Sequence, residues 1–127
     1  MITKIFLALV GVMYLGLAIW CTLSPDVTSA KLGFELNSGS GQSEFIVIYG
    51  GLELAMSLIF LLPLIRKDSL IGSLLACVVI HACLVAFRTY SLLVYSDISG
   101  MTYQLAIGEW VLLILSLTCL FVSRNEL

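Results

Sequence analysis

Four apolar blocks govern what this chain can become. Ile5–Leu23, Phe45–Ile65, Leu70–Leu93 and Thr102–Val122 each run about 19–25 residues with few charges, the length that crosses a hydrocarbon core about 30 Å thick. They fill most of the 127 residues, so no separate soluble domain fits beside them. The expected fold is all-α: one polytopic domain, a four-transmembrane-helix bundle. Composition agrees, with 61% hydrophobic and 11% charged residues, far from the balance of a soluble domain. It also excludes disorder, which needs low hydrophobicity and high net charge. With 6 Lys+Arg and no basic stripe, a nucleic-acid partner is excluded as well.

The first block is longer than the apolar region of a signal peptide and no small-x-small cleavage site follows it closely, so it reads as a permanent helix. Basic residues set the expected orientation. Lys4, Arg66, Lys67 and Arg124 flank one set of block ends, while the other two connections hold Asp26, Glu35, Glu44 and Asp97 against Lys31. The positive-inside rule then puts both termini and the Arg66-Lys67-Asp68 turn in the cytoplasm. The expected location is a bacterial cytoplasmic (inner) membrane, with the lipid bilayer as solvent. Trp20, Tyr90, Tyr95 and Tyr103 fall where an outer aromatic belt would lie.

The connections differ in character. The second is short, Pro63 weakens the end of its preceding helix, and Asp68 or Ser69 is placed to cap the next one. The first is about 21 residues, longer than most. Within it, Ser24-Pro25-Asp26 reads as a helix start, with Leu23, Val27 and Ala30 as an apolar stripe ending at Gly33. This predicts a short outer interfacial helix, followed by a flexible return through Asn37-Ser38-Gly39-Ser40-Gly41. It forms either a lid over the bundle or a plain surface loop.

The most informative residues are the ionisable ones inside the spans, Glu53, His81, Arg88 and Glu109, which read either as a structural Arg88–carboxylate bridge or as a polar pocket that binds a small ligand or relays protons. A charge in hydrocarbon costs at least about 2.5–3.5 kcal/mol, so such groups turn inward and find partners. From the rise of 1.5 Å per residue, Glu53, Arg88 and Glu109 lie about 8–12 Å in from the outer ends of their helices, at one level. Mutual pairing of the three is the expectation. Two carboxylates against one guanidinium leave a surplus negative charge. Either one carboxyl carries a proton, or a cation or donor-rich ligand completes the site. Tyr49 lies one turn from Glu53, with Met56 and Phe60 continuing its stripe, and Gly50-Gly51 beside it allows close backbone approach. Gly11, Tyr14, Ala18 and Cys21 form the packing seam of the first helix. His81 shares a face with Arg88 and reads either as an inward extension of a polar path or as a histidine bonded to a backbone carbonyl.

The 4 cysteines suggest no disulfide framework: Cys77 and Cys83 point to different faces, while Cys21 and Cys119 differ in depth. Cys77 and His81 at i,i+4 would be half a metal site without another half, so no metal is expected. There is no Cys-x-x-Cys, zincin, phosphate-loop or nucleophile-elbow motif, hence no catalytic residue and no expected cofactor.

Leu32-Gly33-Phe34, Tyr49-Gly50-Gly51-Leu52-Glu53, Phe87-Arg88 and Glu109 together resemble an uncharacterised family of small bacterial four-helix membrane proteins, a domain of unknown function distantly similar to the DoxX-like group. The resemblance spans nearly the whole chain. It departs at Ile46, where that family commonly has Arg, leaving Arg88 as the single guanidinium near the two carboxylates. DoxX-like proteins serve as subunits or assembly helpers of membrane oxidoreductase and receptor systems, and no catalytic residue carries over. The expected function is a non-enzymatic membrane protein that binds a small or lipid-like ligand, or assists a membrane partner, through Tyr49, Glu53, His81, Arg88 and Glu109. A proton- or cation-coupled transporter working as a homo-oligomer is the alternative. A quinone- or haem-associated redox subunit using His81 is a third reading.

Overall fold

The computed structural model describes residues 1–125, with side chains through Ser123. All regular structure among them is helical. Helix α1 (Ile2–Leu23) leads into a short α2 (Pro25–Lys31). The second span, Ser38–Ile65, is one continuous rod built of α3 (Ser38–Ile46), a π-helical turn (Val47–Leu52) and α4 (Glu53–Ile65). A 3-10 turn (Lys67–Ser69) introduces α5 (Leu70–Val94), and α6 (Gly100–Asn125) completes the chain. Four helices are long and apolar enough to cross a membrane, which makes this a multi-pass membrane protein with a four-helix bundle.

Association of helices in lipid gains little from hydrophobicity and relies on close packing and interhelical hydrogen bonds. This bundle uses both. α1 packs chiefly on α4, and α6 chiefly on α5. The core comprises Leu7, Val10 and Tyr14 of α1, Phe60 of α4, and Leu74 and Cys77 of α5. The seam expected on α1 is the buried one: Gly11, Tyr14, Ala18 and Cys21 all face inward. Gly11 is required there, since a Cβ would meet the Leu61 side chain at 2.7 Å. Five helix pairs are each joined by a polar contact. Ser57 Oγ donates to the Gly11 carbonyl (2.8 Å), and Ser73 Oγ to the Ile59 carbonyl (2.7 Å). Thr3 and Ser123 share a hydrogen bond of 2.9 Å, Tyr14 meets His81 at 3.1 Å, and Arg88 pairs with Glu109. Such contacts contribute about 0.6–2 kcal/mol each in a membrane.

Three local expectations need correction. Asn37–Gly41 is not a flexible return: the second span begins at Ser38, and the chain reverses earlier, through Gly33 (φ 84°) and up to Ser38 (φ 63°). Gly39 and Gly41 each cost a helix about 1 kcal/mol, but only in its first turns, where Phe45 is buried just beyond and Gln42 Nε2 donates to Asp26 Oδ1 (3.1 Å). Neither Asp68 nor Ser69 caps α5; Ser69 Oγ instead donates to the Arg66 carbonyl and tightens the 3-10 turn. Gly51 faces open space, so of the glycine pair only Gly50 permits an approach, that of Thr22 on α1.

The short helix expected in the first connection is α2. Its proline sits in the first turn, where the missing N–H is no loss. Val27 and Ala30 point outward, while Thr28 and Ser29 are buried and bond to backbone carbonyls of their own turn. The Ser29 carbonyl also accepts the Phe34 N–H (2.9 Å), folding the following loop back over the bundle end.

Candidate functional site

The site lies in the half of the bundle covered by α2. Its geometry begins with the π turn. A regular α-helix repeats its inward face every three or four residues, whereas a π turn adds one. Phe45 and Gly50, five apart across Val47–Leu52, are consequently both buried. Phe45 can then meet the loop while Gly50 seats Thr22. Tyr49 stacks on Phe45 with ring centroids 4.6 Å apart, and Phe34 closes the group at 5.9 Å from Tyr49 and 6.2 Å from Phe45. Glu53 begins α4 immediately after this turn.

Arg88 and Glu109 form a bidentate pair. Arg88 Nε donates to Glu109 Oε2 (3.1 Å) and Nη2 to Oε1 (2.8 Å), the fork geometry that gives Arg–carboxylate contacts their strength. Their register follows from connectivity. Arg88 precedes the end of α5 by about 9 Å and Glu109 follows the start of α6 by about 14 Å, on adjacent antiparallel helices.

The expected three-way pairing does not form. Glu53 is not hydrogen-bonded to Arg88, and its Oε2 is the one buried side-chain oxygen or nitrogen without a partner among the described residues. The reason is lateral position. Glu53 belongs to the rod that packs on α1, while Glu109 belongs to the helix that packs on α5, and Arg88 reaches its own hairpin partner first. Burying an unbonded polar atom is costly, so Glu53 Oε2 carries a desolvation cost that no hydrogen bond offsets.

His81 sits deeper and is fully enclosed. Its Nδ1 lies 2.8 Å from the Cys77 carbonyl, which can only accept, so Nδ1 carries a proton. That leaves Nε2 of the neutral ring as the acceptor for the Tyr14 hydroxyl at 3.1 Å. Both nitrogens are thus committed within the bundle. The Cys77 sulfur is 3.5 Å from Nδ1, and no group of three or more metal-capable side chains occurs among the described residues.

Of the five residues singled out in the sequence, Arg88 and Glu109 bind each other, Tyr49 and Glu53 adjoin the aromatic group, and His81 belongs to a separate contact with Tyr14. Sequence reasoning took Tyr14 only as packing. A tyrosine on a buried seam needs a partner for its hydroxyl, and that signal pointed to His81, the lone histidine of the spans. The role of Phe34 was carried by its motif but not by any periodicity. Comparison with family models, curated proteins and solved structures gives no match to this chain.

Proposed function

We propose that the protein is a non-enzymatic binder of a small ligand, with Glu53 as the ligand-contacting group and the Phe34–Phe45–Tyr49 aromatics as its cover. The observation carrying this reading is the unpartnered Glu53 Oε2 in a bundle where the other buried polar side chains among the described residues have found partners. The Arg88–Glu109 pair neutralises itself and leaves Glu53 as the uncompensated carboxyl. In this reading the chain lies in a bacterial inner membrane with both termini cytoplasmic, as its basic residues favour, and the site opens toward the outer face. Its short motifs fit a DoxX-like role beside a membrane partner or a second copy.

The test is retention of a co-extracted molecule. Protein purified in mild detergent should release a small molecule detectable by mass spectrometry, and Glu53→Gln should lose it while unfolding at the same temperature. Equal retention by both proteins would reject Glu53 as the contact. Counterflow in liposomes would turn the binder into a transporter, the second class this site can serve.

A further inference from the structure

We infer that the ligand of Glu53 is a hydrophobic organic monocation, and that it exchanges with a proton at the Glu53 carboxyl. This deepens the proposed function and rests on Glu53 being the contact.

The charge count comes first. The bidentate pair neutralises Arg88 and Glu109 mutually, so the layer carries one uncompensated carboxyl. A carboxylate with one oxygen buried away from any donor is costly to keep charged, and a proton or a cation relieves that cost. Other groups near it do not fill this role. Tyr14 and Cys21 of α1 and Tyr49 of the π turn are neutral weak acids. On α2 and its neighbour, Asp26 is held by Gln42, and Lys31 lies 5.9 Å from the Trp20 ring.

The donor set then selects the kind of cation. A hard metal ion takes about six oxygen ligands. Here a single carboxylate is available, and no group of three metal-capable side chains exists among the described residues. Aromatic faces, by contrast, attract large, weakly hydrated cations. Tyr49 precedes Glu53 by one turn and stacks on Phe45, and Phe34, 46% exposed, packs on both from the loop that follows Gly33. An ammonium or phosphonium ion flanked by this group would place its charge against Oε2 and its apolar substituents against the rings.

The exchange balances simply. The carboxyl O–H bond breaks, the proton leaves to water, and the cation pairs with the carboxylate; no electrons are transferred. A cation that competes with a proton binds more tightly as pH rises.

The experiment uses the full chain in detergent with three probes: tetraphenylphosphonium, the neutral triphenylphosphine oxide, and sodium ion. Tetraphenylphosphonium should bind saturably, release up to one proton per cation into weak buffer, and bind more tightly at higher pH. Glu53→Gln should weaken it at least about tenfold, Glu53→Asp less, and Phe34→Ala about threefold to tenfold, as loss of one aromatic face implies. Equal thermal unfolding of the variants excludes misfolding as the cause. Equal binding to wild type and Glu53→Gln, absence of phosphonium binding, or binding without proton release or pH dependence would overturn the inference. Glu53-dependent binding of the phosphine oxide in preference to the cation would overturn the charge class while leaving Glu53 as a ligand contact. Preference for sodium would overturn the organic class alone. Loss of the co-extracted molecule in Glu53→Gln, measured separately, decides the underlying reading whatever these probes do.

Discussion

Two carboxylates lie in the same half of this bundle and meet opposite fates. Glu109, on the α5–α6 hairpin, is clasped by both donor edges of Arg88 at 2.8 and 3.1 Å. Glu53, on the rod that packs against α1, shares the interior but keeps an enclosed oxygen without a partner. Both are glutamates inside membrane-spanning helices; the difference is which helix each occupies. A carboxylate that is structurally satisfied adds to the fold, whereas one left unsatisfied costs the fold a bond it could have made. The contrast can be broken or sharpened by substitution.

The largest effect belongs to Arg88→Ala. It strands Glu109, whose side chain is 12% exposed, and should lower stability by about 3 kcal/mol, the lower end for a broken buried pair because Arg88 is partly exposed. Thermal or denaturant unfolding in detergent checks this. A double-mutant cycle should give a large coupling for Arg88 with Glu109 and, for Arg88 with Glu53, one within about 0.5 kcal/mol of zero. Strong coupling of the second pair would restore the three-way layer.

Next comes Gly50→Leu, whose side chain exceeds the space that rotation of the Thr22 hydroxyl frees against α1 and should cost about 1–3 kcal/mol by overpacking, while Gly51→Leu, facing open space, should cost nothing. Comparable losses at the two glycines would mean that the π turn is not seated on α1 as described. Tyr14→Phe removes the donor to His81 Nε2 and leaves that buried acceptor unpaired, a loss of about 1–3 kcal/mol. His81→Phe in the same background should then add less than it does alone, which a stability cycle would show. The smallest stability change is expected for Glu53→Gln, within about 0.5 kcal/mol of wild type, because the buried oxygen it replaces makes no hydrogen bond that could be lost. A marked loss of melting temperature in that variant would place Glu53 in the structural class with Glu109.

Much of this architecture was legible in the residues. Span length and hydropathy are local properties, and in hydrocarbon a chain of such segments can satisfy its backbone only as helices. The four spans, the short α2 started by Pro25, and the inward seam of Gly11, Tyr14, Ala18 and Cys21 all follow from that constraint. So does the meeting of Arg88 and Glu109, since rise per residue places them at one level on antiparallel helices.

Depth, however, is one coordinate of three. Which carboxylate Arg88 selects depends on lateral neighbours, and those are set by how α1 crosses α4 at Gly11 and Ser57 and how α5 meets α6. The π turn at Val47–Leu52 is decided in the same way: nothing in Val-Ile-Tyr-Gly-Gly-Leu demands an extra residue per turn, but Phe45 under Phe34 and Gly50 under Thr22 can both be satisfied only with one. The helical start at Ser38, against two glycines, holds because Phe45 and Gln42 find partners beyond the reach of local propensity. The residues alone determined which segments can cross a membrane; packing across helices decided which carboxylate is paired and which keeps an unpartnered oxygen.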